Sequence, residues 1–249
     1  MRASKGYLVL VDISGYTAFV RSHTMRGIPV LGKRMNNTSQ VHAETVITDL
    51  LETIISAVDH RLTLNKLEGD AALFYREANG DSAECDSVLT TLLNLFTVFN
   101  QRLEDIMFCQ ACLCDCCHQM NQLKVKILVH YGDFLVKRVA QFEEIAGHDV
   151  ILIHRLLKNS VPSNEYLLMT DSVKTRTRHG LSTLQLESMV EAYDVGDVPI
   201  HVYYPTATVD PQPKRSWLFR YRAMTDFFQI PKRKADLAVR LLSHVQRSD

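Results

Sequence analysis

The stretch that most restricts how this chain can fold is Tyr7-Leu-Val-Leu-Val-Asp12-Ile-Ser-Gly15-Tyr-Thr17. Five apolar residues in a row, with β-branched members, predict a strand buried on both faces. Asp12 then places a carboxylate at the strand's end, where burial is costly unless something compensates the charge. A bound cation is one such partner. Gly15 turns the chain toward a helix. A second acidic turn lies downstream, in Lys66-Leu-Glu-Gly-Asp70, and Asp12 and Asp70 together are read as the two halves of a cation site.

A length of 249 residues suits one large domain, or one of ordinary size with an appendage. Lys plus Arg and Asp plus Glu number 28 each; this balance gives no support to a nucleic-acid or membrane-surface role. No apolar run approaches the ~18 residues of a membrane-spanning helix, and no signal peptide is read at the N-terminus. A cytoplasmic location is expected. Of six cysteines, five fall within Cys109–Cys117, which points to reduced thiols or a metal site over a disulfide framework.

Taken in order, the chain predicts a polar loop or broken helix over 22–38. An amphipathic helix follows over 40–58, with Glu44, Asp49 and Glu52 on its outer side. A hairpin of strands 61–66 and 71–75 carries Asp70 at its tip. A helix spans 87–107, and strands 123–131 and 134–142 are joined by a turn at Gly132-Asp133. A helix runs over 148–158, a short strand over 166–169 and a short helix from Asp171 to about His179. A hairpin of 184–193 and 200–204 closes the pattern. The order βαββαββαβαββ predicts an α+β fold, a mostly antiparallel sheet with helices packed on it. The domain is expected over 1–205, with a cysteine-rich insertion at 109–118. Residues 206–249 read as a linker and a basic, partly helical tail.

Four stretches resemble motifs of the class III nucleotidyl (adenylyl and guanylyl) cyclases. Val11-Asp-Ile-Ser-Gly-Tyr-Thr17 is similar to that family's first metal-aspartate turn, and Lys66-Leu-Glu-Gly-Asp70 to its second. Val129-His-Tyr-Gly132 and Gly147-His-Asp-Val-Ile-Leu-Ile-His-Arg-Leu156 resemble its later strand and catalytic helix. Residues 6–205 take part. A narrower resemblance, to an uncharacterised group of stand-alone bacterial cyclase-like proteins, rests on 150–159 and on Cys112-x-Cys114-x-x-Cys117. The resemblance implies a class III cyclase-like fold with a ferredoxin-like βαββαβ core. It also implies a lyase that turns a nucleoside triphosphate, ATP first, into the 3′,5′-cyclic monophosphate and pyrophosphate. The site would form between two copies of the chain, a homodimer, one giving the aspartates and the other the Arg-bearing helix.

Carried over residue by residue, the resemblance makes Asp12 and Asp70 ligands of Mg²⁺ or Mn²⁺, whose preferred donors are oxygens. The backbone around Ile13, Gly15, Tyr16 and Thr17 would face the phosphates. Lys66 and Glu144 would read a purine edge, and Arg155 would stabilise charge on the transferred phosphate. The plainer readings stay open: Asp12 a helix cap, Asp70 a turn former, Lys66 and Glu144 solvated charges, Arg155 a surface residue. His154 reads as an ordinary helix residue. Two departures stand out. Ile151 occupies the position of the family's ribose-binding Asn, and the family's triphosphate lysines are missing near Tyr193–Val195; Lys137, Arg138 or a tail residue are the substitutes at hand. They favour a rival reading, a degenerate cyclase-fold module that binds nucleotide or metal without turnover. Cys112, Cys114 and Cys117, with Cys109 or His118, make a structural Zn²⁺ site or else a reduced, redox-sensitive loop.

Overall fold

The computed structural model describes residues 1–22, 32–79, 83–109, 120–177 and 184–205, with backbone alone for 22, 32–42 and 108–109. The elements are β1 (Arg2–Ser14), α1 (Tyr16–Ser22), α2 (Gly32–Val58), β2 (Thr63–Glu68), β3 (Ala71–Glu77) and α3 (Glu84–Cys109). Then come β4 (Lys124–Val139), β5 (Phe142–Ala146), α4 (His148–Arg155), β6 (Tyr166–Thr170), α5 (Asp171–Lys174), β7 (Leu186–Tyr193) and β8 (Gly196–Tyr203).

The strands form one sheet in the order β2-β3-β1-β4-β6-β8-β7, with β5 paired to β4. Every pairing is antiparallel except β4–β6. β1 is central, and its side chains alternate between two cores as the period of a strand requires. Tyr7, Val9, Val11 and Ile13 pack with the apolar stripes of α2 and α3. Leu8 and Leu10 pack on the other face with Val150, Leu152, Ile153 and Leu156 around α4. The unbroken apolar run thus serves both layers, and the mostly antiparallel α+β fold expected from the sequence is the one observed.

Several boundaries differ from expectation. β1 is longer than its apolar run, because the flanking residues still pair with β3 and β4. α2 begins at Gly32 rather than at 40. α5 ends at Lys174, well short of His179, and β8 starts at Gly196 instead of 200. Asp49 is not a solvent-side charge: its carboxylate accepts two bonds from Arg102 of α3, at 2.5 and 2.6 Å, and ties the two long helices together.

The clearest correction concerns Gly132-Asp133. They make no turn; β4 runs straight through them for 16 residues. The reversal falls at 140–141, where Ala140 adopts φ 55°. Gly132 is needed for close approach instead. A Cβ there would lie 2.1 Å from Asp149 Oδ2 and 2.7 Å from His130 Nε2. Asp149 reaches across from α4 and accepts the Asp133 N–H at 2.6 Å, which anchors the helix on the strand. Among the described residues no helix is long and apolar enough to cross a membrane. The zinc reading (Cys112, Cys114, Cys117 and His118, with the Cys109 side chain) and the tail lie outside the described residues.

Candidate functional site

Asp12 sits near the C-terminal end of β1, opposite Ala71 of β3 and Lys126 of β4. It does not cap α1; Gly15 directly precedes that helix, at φ 89°, and its carbonyl accepts the Phe19 N–H at 2.9 Å. Asp70 follows Gly69, whose φ of 67° permits the tight β2–β3 turn. The Asp70 carbonyl accepts the Ile13 N–H at 3.1 Å. That bond draws the hairpin tip against the end of β1 and brings Asp12 and Asp70, 58 positions apart, close enough for the Asp70 charge to act on Asp12.

Their electrostatics agree with this meeting. Burial pushes the Asp12 carboxyl up to about 6, the Asp70 charge adds to the rise, and Lys126 offsets part of it. Asp70 is raised as well, first by burial and further by Glu44, although its own backbone N–H opposes the shift. Neither carboxylate forms an ion pair among the described residues. Two half-buried carboxylates that repel each other and lack an ion pair among the described residues suit a divalent cation. Mg²⁺ fits in particular, because it binds through one or two carboxylates and keeps waters or phosphates as its other ligands. Among the described residues no cluster of three or more His, Cys, Asp or Glu is placed to enclose a metal.

The sign of the linkage gives a direct test. The folded chain holds the Asp12 proton more tightly than an unfolded one, where Asp titrates near ~3.9. The stability associated with this proton is complete below that value and is lost as pH rises through about 6. Asp12→Asn is therefore expected to raise the metal-free melting temperature, by little near pH 4 and by a few degrees at pH 7, a gain of about 2 kcal/mol. Mn²⁺ should raise the melting point of the wild type at pH 7 and leave the variant unmoved. Differential scanning fluorimetry reads both, and a wild type indifferent to Mn²⁺ at pH 7 would count against the site.

The remaining predicted residues are distributed around this pair. Ile13 is fully buried, while Gly15 and Thr17 are exposed at the turn beside Asp12. The Tyr16 hydroxyl donates to Glu44 Oε1 at 2.8 Å. Lys66 lies on β2, its Nζ 2.6 Å from Glu68 Oε1. Glu144 lies on β5 opposite Lys137. The edge of β2 meets β5 where Asn65 Nδ2 donates to the Glu143 carbonyl at 3.2 Å, so the residues next to Lys66 and Glu144 are in contact. Arg138, one of the substitute cations, is bound at home, its Nε donating to the Ala140 carbonyl at 3.1 Å.

Arg155 ends α4. Its Nη2 donates to Asp194 Oδ2, in the β7–β8 turn, at 2.9 Å, and it forms no ion pair with Asp12 or Asp70. Ile151 is 51% exposed. At i and i+4 on one helix, Ile151 and Arg155 share a face, as the resemblance requires.

Sequence reasoning missed four side chains here. Glu44 was read as part of a solvated helix face, yet its charge reaches Asp70. Glu68 and His154 were not assigned to each other, yet they stand 3.5 Å apart. Asp194 was not noticed as the partner of Arg155. Each depends on a contact between distant segments, which no local motif announces.

Comparison with known proteins bears on the fold and the family. Residues 47–166 match a family model described as "Protein of unknown function (DUF2652)". The chain is 35% identical over 168 residues to the "Uncharacterized protein Rv2561/Rv2562" of Mycobacterium tuberculosis, a match covering 67% of this chain and 76% of that relative. Among solved structures, the adenylyl cyclase CyaB from P. aeruginosa superposes with a TM-score of 0.59 at 12% identity, over 83% of this chain and 97% of that one. The guanylyl cyclase Cya2 gives 0.59 at 10% identity, over 85% and 96%. The guanylate cyclase domain of RhGC from Catenaria anguillulae, solved in complex with GTP, gives 0.54 at 9% identity, over 82% and 98%. The fold is that of the class III cyclase catalytic domains.

Proposed function

Because this chain belongs to the family of the uncharacterized Mycobacterium tuberculosis protein Rv2561/Rv2562, and has the cyclase fold, we propose that it is a metal-dependent nucleotidyl cyclase. It takes a nucleoside triphosphate, ATP first, to the 3′,5′-cyclic monophosphate and pyrophosphate. The observation that carries this reading is the convergence of Asp12 and Asp70, without a counter-ion, at the junction of β1 and the β2–β3 turn.

Asp12 and Asp70 hold Mg²⁺ or Mn²⁺, which when bound supplies Lewis-acid activation of the 3′-hydroxyl and neutralises phosphate charge. Lys66 donates to the base and Glu144 accepts from it. Arg155, released from Asp194, stabilises negative charge on the α-phosphate. As the resemblance implies, the site forms between two copies of the chain, the second supplying Arg155. Leu67 at the hairpin tip, Val139 and Phe142 at the β4–β5 reversal, and Ile151 on α4 are exposed apolar side chains on the elements that carry the site, suited to cover by that second copy.

A second reading, a nucleotide- or metal-binding module without turnover, is favoured by Ile151 and by the capture of Arg155 by Asp194. The deciding experiment incubates the pure protein with each nucleoside triphosphate and Mn²⁺, with products identified by mass spectrometry. A cyclic monophosphate is expected, and the protein should sediment as a dimer under the same conditions. No cyclic product, where a known cyclase works, would overturn the enzyme reading and leave the module.

A further inference from the structure

Glu68 has no part in the mechanism above, yet its carboxylate lies between two elements that carry proposed site residues. It is the last residue of β2, two positions before Asp70. Oε1 lies 2.6 Å from Lys66 Nζ, and Oε2 lies 3.5 Å from Nδ1 of His154. His154 belongs to α4, directly before Arg155. Lys66 and Glu68 are two residues apart on one strand, hence on one side of it. None of the three side chains is fully solvated: they are 36%, 36% and 28% exposed. One carboxylate therefore pairs with the lysine and lies beside the helix that carries Arg155, 3.5 Å from His154.

A lysine ammonium has three donors on a flexible four-carbon stem and by itself sweeps a wide cone. An acceptor at 2.6 Å takes one of those donors and fixes where the other two point. A lysine held this way presents its free N–H groups at one place, and one purine edge meets them better than another.

We propose that Glu68 is a positioning residue for Lys66 and sets the base preference of the site. The inference rests on the cyclase reading of Lys66. His154 supports Glu68 from the helix side, so that movement of α4 and the direction of the lysine are linked.

The test uses the full chain with Glu68→Gln and Glu68→Ala. Three readouts separate the possibilities. First, the imidazole titration of His154 by NMR, assigned with His154→Asn, should shift down by about half a pH unit in both variants, because an attractive carboxylate is lost. Second, the ratio of kcat/KM for ATP over GTP should fall about five-fold in Glu68→Ala and less in Glu68→Gln, carried by KM with kcat nearly constant. Third, the Mn²⁺-induced rise in melting temperature should be unchanged, which shows that the fold and the metal end are intact. An unmoved His154 titration, or a base preference equal to that of the wild type, overturns the inference.

A wild type that makes no cyclic product is a failure of the enzyme reading, and the inference is then judged on binding. Fluorescent ATP and GTP analogues should be distinguished by the wild type and not by Glu68→Ala. Equal discrimination in both proteins, or none in the wild type, overturns it.

Discussion

Asp12→Ala is expected to abolish cyclic-nucleotide formation, lowering kcat/KM about a thousand-fold or more. The size follows from what the carboxylate holds. A metal ion that polarises the phosphate and activates the attacking hydroxyl is worth several kcal/mol in the transition state, and ~4 kcal/mol is a factor of about a thousand. The opposite response of stability makes the result diagnostic. In the metal-free protein Asp12 is a liability at neutral pH, since burial and the neighbouring Asp70 charge both act against its ionised form. A carboxylate that stabilises the fold would lose activity and stability together on substitution. This one should lose activity while its Asn variant melts higher. Unchanged product formation by Asp12→Ala would place the chemistry elsewhere.

The second large effect is structural. Gly6→Ala is expected to destabilise the chain by about 3 kcal/mol or more, a loss of about 10 °C in melting temperature, read by thermal denaturation. Gly6 faces Glu77 of β3 on one side and Gly132 of β4 on the other. An added Cβ would lie 2.0 Å from the Arg76 carbonyl oxygen and 2.9 Å from the Ala78 nitrogen. Both are backbone atoms at the end of β3, held to β1 by the strand ladder and by the Ala78 N–H donating to the Lys5 carbonyl at 2.8 Å, so neither can swing aside. Gly69→Ala is the natural contrast. Nothing lies within 4 Å of its Cβ position, and only the positive φ opposes the change, at a cost of about 1 kcal/mol. Equal losses at the two positions would show that the steric argument for Gly6 is wrong.

The placement of Asp12 and Asp70 at neighbouring strand ends could be read before the fold was known, for a physical reason. Asp12 and Asp70 each sit at a strand end marked by an apolar run, with a glycine close by, and these are local signals. Arg155 and Ile151 were assigned through the resemblance, and their spacing of four residues sets them on one helix face. What could not be read depends on distant neighbours. Gly132-Asp133 has the composition of a turn, but it lies inside β4 because Asp149 packs where a side chain would be. The start of α2 at Gly32 is hidden by the Gly27, Pro29 and Gly32 punctuation around it. Glu68 and Asp194 are ordinary charges in sequence and acquire meaning only when α4 closes on the sheet.

The pairing of β1 with β4 also has a kinetic consequence. Asp12 faces Lys126, 114 positions later, and β1 gains its second neighbour only when β4 is in place. Contacts of such long range form late, because the entropy of closing the intervening chain is spent before they reward it. The proposed cation site at that end of β1 is thus flanked on both sides only late in folding. An ion that binds it acts on the finished structure alone, so its whole binding free energy is added to the native state.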